Sequence, residues 1–157
     1  MGERALSRSE QIIRQNRRFF DIYSDIASVL DLSESTFWIM YVVSRPNYNY
    51  VQQEICEEWS FSKQTINSAI KSLVDKGYIY LEQDNLPDSR KKSIKLTCLG
   101  EKFAAKNIAL LHRMEQCALS KMTLSEQEAY LSLSQKYISD LREATDSFIK
   151  TEVSLCE

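Results

Sequence analysis

Residues 55–79, ICEEWSFSKQTINSAIKSLVDKGYI, decide the fold of this chain, because they join two helical patterns through a very short link. The first pattern, VQQEICEEW, begins slightly upstream and places Val51, Ile55 and Trp59 inward. After it, Ser62 is in position to cap a second helix, and Gly77 supplies the left-handed residue that ends that helix. Two helices joined so tightly form a helix–turn–helix.

The second of these helices has one apolar stripe and one polar face. Its predicted inward positions are 66, 69, 70, 73 and 74. The residues predicted to contact base edges or phosphates are Ser62, Lys63, Gln64, Thr65, Asn67, Ser68 and Lys71. A solvated helix face carries the same residue types, so this pattern alone leaves both interpretations open.

Beyond Gly77 the apolar period changes from that of a helix to that of a strand. Residues 78–82 and 93–97 are short β-forming runs, and QDNLPDSRKK between them is rich in turn formers. We therefore predict a β-hairpin with a cationic tip, where Arg90, Lys91 and Lys92 are candidates for contact with phosphate and a minor groove. Asp88 is a candidate for ordering the loop, through a neighbouring cation or the loop backbone.

Further helices flank this unit on both sides. An amphipathic helix is predicted from Ser9, and Ser33 can cap a buried core helix, ESTFWIMYVV. Thr97 can cap another helix, and Thr123 with Glu126 forms a capping box that opens the last one. The long helices cannot all bury their apolar stripes against a small core, so we expect them to pack together in a dimer.

Composition argues against several classes of protein. The net charge is −2, yet residues 63–100 carry seven Lys and Arg against four acidic residues, which favours contact with nucleic acid. The single histidine, His112, and four scattered cysteines predict no metal site, and we expect no cofactor and no catalytic residues, hence no enzyme. No apolar run is long enough to cross a membrane, and the N-terminus lacks the core of a secretion signal, so we expect a cytoplasmic protein.

These residues resemble the MarR family of bacterial transcriptional regulators over nearly the whole chain. The most specific resemblance is the wing pattern formed by Asp88, Arg90, Ile94, Leu96, Thr97 and Gly100. The helix–turn–helix is similar too, with Ser60 where such turns often have glycine. The fold class is therefore expected to be mostly α with a small β-hairpin wing, a winged helix–turn–helix flanked by N- and C-terminal dimerisation helices.

The resemblance implies three parts: an N-terminal dimerisation helix in residues 1–30, a DNA-binding domain in 31–98 and C-terminal dimerisation helices in 99–157. The recognition helix would cover about 62–76 and the wing about 78–97. It also implies a homodimeric repressor that binds double-stranded DNA with a pseudo-palindromic operator, the recognition helix entering the major groove and the wing the minor groove.

Members of the family often bind a small aromatic ligand that lowers DNA affinity. The aromatic residues available near such a crevice are Phe19, Tyr23, Phe37, Trp38 and Tyr41, and packing in the core is the other role open to each of them. Two alternatives stay open from the sequence. The same fold could serve as a winged-helix module that binds an acidic protein partner, or Cys56 or Cys98 could make the regulator sensitive to oxidation.

Overall fold

The computed structural model describes residues 7–46, 50–83 and 92–154. The chain divides into two compact units, residues 1–110 and 111–157. The elements in chain order are α1 (Arg8–Val29), α2 (Glu34–Val43), β1 (Tyr50–Val51), α3 (Gln52–Trp59), α4 (Lys63–Asp75), β2 (Ile79–Glu82), β3 (Ser93–Leu96), α5 (Cys98–Phe103), a π-helical segment (Ala104–Ile108), α6 (Ala109–Leu119) and α7 (Leu124–Ser154). The predicted class, a mostly helical winged helix–turn–helix, is confirmed.

Helix α2 is the centre of the first unit. Ser33 caps it as predicted, accepting a hydrogen bond from the Thr36 N–H at 3.3 Å. Phe37, Ile39 and Met40 are fully buried, which fits a sequence that is apolar on nearly all sides. Burying such side chains contributes roughly 1.5–3 kcal/mol each, so α2 anchors the helices packed around it.

The wing is a hairpin of β2 and β3 within a three-stranded antiparallel sheet. Ile79 pairs with Leu96 and Glu82 with Ser93, so the predicted hairpin is confirmed. The third strand, β1, pairs Tyr50 with Ile94 on the other side of β3. The sequence did not predict β1, because two residues are too few to show the alternation of a strand.

Two glycines hold the end of α4 against the start of α5. Gly77 has φ +73°, the left-handed stop predicted from its position. Gly100 is required by close approach, because a Cβ atom there would lie 1.9 Å from the carbonyl oxygen of Tyr78. Thr97 completes the junction, since its hydroxyl donates to the Gly77 carbonyl at 2.6 Å and accepts from the Gly100 N–H at 3.0 Å.

The helical run after Thr97 is interrupted by the π-helical segment, which the sequence did not predict. Within this segment, Asn107 donates a side-chain hydrogen bond to the Phe103 carbonyl at 3.1 Å. Ala104 and Ile108 in the segment are buried. A π-helical turn holds one more residue than an α-helical turn, so it shifts which side chains face the core.

In the second unit, α7 is a helix of 31 residues. Its start is the predicted capping box: the Thr123 N–H donates to Glu126 Oε2 at 2.7 Å, and the Glu126 N–H donates to Thr123 Oγ1 at 3.3 Å. Gln127 donates to the carbonyls of Leu119 and Met122, which ties the α6–α7 turn to the helix. These hydrogen bonds therefore hold the first turn of α7 against the end of α6.

Across the described ranges, no single helix has both the length and the apolar character needed to cross a membrane. Helices α1 and α2 taken together reach that length and composition, but they are bent by 88° at the turn between them.

Candidate nucleic-acid interface

The turn between α3 and α4 fixes how α4 is presented. Ser60 ends α3 in the left-handed conformation, with φ +54°, where such turns often have glycine. Ser62, which has extended backbone geometry, then caps α4. The helix–turn–helix predicted from residues 55–79 is thus present, and the turn directs one face of α4 toward the core.

The inward face of α4 is the predicted apolar stripe, with one correction. Ile66, Ala69, Ile70 and Leu73 are buried, whereas Val74 was predicted inward and is 42% exposed. Val74 lies about 100° around the helix from Leu73, at the edge of the stripe. The buried residues fix the rotation of α4 about its axis, and therefore which side chains face outward.

The outward face of α4 is polar and cationic. Lys63, Asn67 and Lys71 are exposed and recur every four residues, so they lie in one row along the helix. Gln64 and Ser68 are exposed beside that row. Lys63 and Lys71 form no ion pair with the described residues. The row can therefore offer two cations and an amide to an anionic partner.

Two predicted contact residues already serve the cap of α4. The Ser62 hydroxyl accepts from the Thr65 N–H at 3.1 Å and lies 2.8 Å from the Thr65 hydroxyl. Thr65 is half-buried, while Ser62 is exposed. Both stand at the N-terminus of a helix, where free amides and the positive end of the dipole favour an anion.

One contact of Asn67 was missed from the sequence. Gln52, the first residue of α3, donates from Nε2 to Asn67 Oδ1 at 2.5 Å. The two residues are fifteen positions apart, and neither the helical period nor the charge pattern links them. The pairing places an α3 side chain next to the outer row of α4.

The wing stands beside this row. Lys92, just before β3, is exposed, while the predicted tip residues Asp88, Arg90 and Lys91 lie outside the described residues. A concavity of about 480 Å³ separates the wing from the helix–turn–helix, and Gln52, Lys63 and Lys92 are among its lining residues. Cations from α4 and the wing thus border one concave surface.

An ion pair holds the far end of α4. Lys76, at the C-cap, donates to Asp31 Oδ2 at 2.8 Å and to the Asp31 carbonyl at 3.0 Å. The hydrogen bond from Lys76, followed by its charge, lowers the pKa of Asp31 below its ordinary value, and the same bond raises the pKa of Lys76. The pair joins α4 to the α1–α2 turn, outside the row of contact residues.

A separate group of aromatic residues contains all five candidates for a ligand crevice. Ring centroids lie 5.0 Å apart for Phe19 and Tyr23, 4.8 Å for Tyr23 and Trp38, and 5.6 Å for Trp38 and Tyr41. Phe37 contacts both Tyr23 and Trp38 and is fully buried, so it forms the base of the group. The other members are partly exposed and can contact a molecule in solvent.

Trp59 and Arg45 also contact this aromatic group, and the sequence did not assign them to it. Trp59 lies 5.7 Å from Trp38 and 5.9 Å from Tyr41, between ring centroids. The guanidinium of Arg45 lies over Trp59 at 5.4 Å and over Tyr41 at 6.0 Å from the ring centroids. The predicted inward position of Trp59 was the one signal for its membership. Arg45 adds a cation at the rim of an aromatic surface.

The thiols named in the oxidation alternative lie on the first unit. Cys56 is half-buried on α3 and Cys98 is exposed at the start of α5, and both are free. Within the described ranges no group of three His, Cys, Asp or Glu side chains comes together as a metal site would require.

Comparison with known proteins gives a consistent result. A family model described as the MarR family matches residues 30–90. No curated protein gives a significant sequence match. A MarR family regulator from Neisseria meningitidis has a TM-score of 0.73 and 21% identity, covering 90% of this chain and 98% of that one.

Two further solved structures are similar. The S. aureus MepR–DNA complex has a TM-score of 0.68 and 21% identity, covering 87% of this chain and 99% of that one. A structure of Bordetella bronchiseptica BpsR has a TM-score of 0.64 and 15% identity, covering 87% of this chain and 97% of that one. The DNA binding of BpsR is described as regulated by 6-hydroxynicotinic acid. At these identities the likeness is one of fold.

Proposed function

We propose that this chain, which belongs to the MarR family of transcriptional regulators, binds a specific DNA operator as a homodimer and represses transcription there. Members of the family are transcription regulators, so the chain is not an enzyme. The observation that carries the proposal is the exposed row of Lys63, Asn67 and Lys71 on a helix whose opposite face is buried. Such a helix can enter a major groove without exposing its apolar side.

The contacts divide into two kinds. Lys63, Lys71 and Lys92 offer charge to phosphates, which gives affinity that depends on salt but carries no sequence information. Asn67 and Gln64 offer amides to base edges, which can distinguish one base pair from another. The MepR relative is described as a complex with DNA, which supports DNA as the partner of this fold.

The homodimer is supported by exposed apolar residues on the terminal helices. On α1, Ile13, Ile22 and Val29 are 62%, 59% and 85% exposed. On α7, large apolar residues are more than half exposed along the helix: Leu124, Tyr130, Leu131, Leu133, Ile138, Leu141, Phe148 and Ile149. Monomeric proteins rarely expose such continuous apolar surface, and a second copy with two-fold symmetry offers a matching one. Two recognition helices would then read half-sites about 10 bp apart.

Control by a small ligand is the second part of the proposal. Phe19, Tyr23, Trp38 and Tyr41 form a partly exposed aromatic surface, and Arg45 supplies a cation at its edge. This combination suits a small aromatic molecule that carries a negative charge. The BpsR relative is described as regulated by 6-hydroxynicotinic acid, a molecule of that kind.

Selection of bound sequences from a random duplex pool tests the DNA-binding proposal. The full-length protein is expected to enrich a pseudo-palindromic sequence, and titration of that sequence at two salt concentrations should give saturable, salt-dependent binding. Sedimentation of the protein alone should give the mass of a dimer. Failure to enrich any sequence at low salt would contradict specific DNA binding, and would favour the alternative in which this face binds a protein.

A further inference from the structure

We propose that Gln52 of α3 sets which end of the Asn67 amide faces the bases, so that the two residues read the operator as a pair. This inference rests on the proposed DNA-binding function and assigns a role to a residue outside the recognition helix. Its basis is the hydrogen bond from Gln52 Nε2 to Asn67 Oδ1 at 2.5 Å.

The position of Gln52 is fixed by its neighbours. It follows Val51, which is buried and pairs with Ser93 in the sheet. Glu54 accepts a hydrogen bond from the Val51 N–H at 3.0 Å, which holds the first turn of α3. Gln52 itself is half-buried. Its amide is therefore presented to Asn67 from a strand–helix junction that has little freedom to move.

The position of Asn67 is fixed by α4. It lies one residue after Ile66, which is fully buried, and two residues before Ala69, which is 2% exposed. Its own side chain is exposed, in the row with Lys63 and Lys71. The hydrogen bond therefore joins two elements whose backbones are held independently, and it restrains the exposed amide between them.

The consequence for base reading follows from the chemistry of an amide, which has one acceptor end and one donor end. Asn67 uses its acceptor end on Gln52, so its Nδ2 group is the end that points outward as a donor. Gln52 in turn keeps its Oε1 as an acceptor. A lone asparagine recognises adenine through both ends at once, accepting from N6 and donating to N7. While Gln52 donates to Asn67 Oδ1, one of the two lone pairs of that oxygen is occupied, so the N6 group of adenine has to share the acceptor end with Gln52.

The pair divides these two roles between two residues. At its own base, Asn67 favours an edge that carries acceptors, and guanine, with N7 and O6, suits it best. If both amides turned over together, the donor and acceptor would exchange places, but each residue would still present one end. In both arrangements one end of the Asn67 amide is shared with Gln52, which weakens the two-bond adenine contact that a lone asparagine would make.

A hydrogen bond between two such side chains contributes little to folding, because it replaces hydrogen bonds to water. A purely structural role for Gln52 would therefore change stability slightly and leave base preference unaltered. Base preference at one operator position is the measurement that separates a positioning role from a structural one.

The test uses the full-length protein and the operator that the wild type selects. Asn67→Ala first identifies the position that Asn67 reads, as the one where discrimination is lost. Gln52→Ala frees both ends of the Asn67 amide, and the ratio of affinities for adenine over guanine there should rise about tenfold. Gln52→Glu can only accept, so it obliges Asn67 to donate to it and turn its oxygen outward, which should favour bases with an amino group at the same position.

Gln53→Glu is the matched control for the added charge. Gln53 is the next residue on α3, and its Nε2 donates to Glu57 rather than to α4, at 2.8 Å. It should weaken binding without changing the preferred base. Far-ultraviolet circular dichroism and thermal unfolding establish that each variant is folded. If Gln52→Glu does not fold, the base preference of Gln52→Ala alone tests the proposal.

The two proposals fail in different ways. A wild type that selects no sequence overturns the DNA-binding function itself. A wild type that selects an operator, together with folded Gln52→Ala and Gln52→Glu variants that keep the same preference as the wild type at every position, overturns the role of Gln52 alone. A shift at the Asn67 position in either variant, absent in Gln53→Glu, supports it.

Discussion

Helices α4 and α7 are both amphipathic, but they expose opposite kinds of surface. Helix α4 buries Ile66 and Leu73 completely and exposes lysine and amide side chains. Helix α7 leaves Leu131 and Ile138 67% exposed. A helix that hides its apolar face and exposes cations is suited to an anionic partner, whereas one that exposes apolar residues is suited to another apolar surface. This contrast is the basis of our proposal that α4 binds DNA and that α7 binds a second copy of the chain.

The first prediction concerns the close packing at the end of α4, which positions the polar face of that helix. Gly100→Ala places a Cβ atom where it would lie 1.9 Å from the Tyr78 carbonyl oxygen, so the α4–β2 junction must shift. We expect a loss of about 3 kcal/mol in the free energy of unfolding, measured by urea titration. Gly77→Ala is the matched control: its Cβ has room, 3.8 Å from Leu99, and only the positive φ is strained, which costs about 1 kcal/mol. Equal losses in the two variants would contradict the steric explanation.

The second prediction concerns the exposed face of α7. Ile138→Asp puts a charge in the middle of the apolar face, and we expect the dimer dissociation constant to rise on the order of 100-fold. Sedimentation velocity across a concentration series measures this change, and operator affinity should fall with it.

Ser139→Asp is the control for the added charge, because Ser139 lies on the polar side of the same helix and is exposed. It should leave the mass of the protein unchanged. If the Ile138→Asp variant keeps the mass and operator affinity of the wild type, α7 does not carry the dimer contact.

The third prediction separates two kinds of residue within the row on α4. Asn67→Ala should cost roughly 1–3 kcal/mol at one operator position and little at the others. Lys71→Ala should weaken binding to all sequences about equally and reduce the salt slope by about one. Titration of the operator and of single-base variants at three salt concentrations measures both effects. If the two variants lose affinity equally across all base variants and salt concentrations, the row on α4 contributes only charge and does not read bases.

Much of this architecture could be predicted because it rests on local chemistry. Ser62 and Thr97 were recognised as caps, Gly77 as a left-handed stop, and residues 66, 69, 70 and 73 as one stripe, since each depends on neighbours within a few positions. The apolar excess of the terminal helices was visible in the same way. Ser60 shows that a departure from the usual glycine still allows the turn, with φ +54°.

The rest depends on contacts that local patterns do not encode. The Gln52–Asn67 hydrogen bond joins residues far apart in the chain, and Arg45 reaches the aromatic group from a loop. Strand β1 exists because β3 offers it a partner, not because Tyr50 and Val51 form a recognisable run. The wing-tip roles of Asp88, Arg90 and Lys91 stay predictions.

The smallest expected effect is a change in how the stability of the protein depends on pH. It involves one carboxylate at the start of α7 and one that is paired with the end of α4. The backbone N–H of Thr123, and then its hydroxyl, donate to Glu126 at the start of α7 and lower its pKa. Asp31 has a lowered pKa because Lys76 at the end of α4 donates to it and attracts it. A carboxyl whose pKa is lowered by folding stabilises the protein above its unfolded pKa, and this stabilisation is lost as the pH falls through the lower, folded value.

Thermal unfolding between pH 7 and about pH 3 measures this loss. Both Glu126→Gln and Asp31→Asn should lose less stability than the wild type over that interval, because each has one carboxylate fewer to protonate. At pH 7 Glu126→Gln should be the milder change, since an amide oxygen can still accept from the Thr123 N–H, whereas Asp31→Asn gives up the charge that attracts Lys76. Glu128→Gln removes a carboxylate from the same turn of α7 without removing its cap. If its pH profile matches that of Glu126→Gln, general charge repulsion, and not the cap, governs the acid response of this helix.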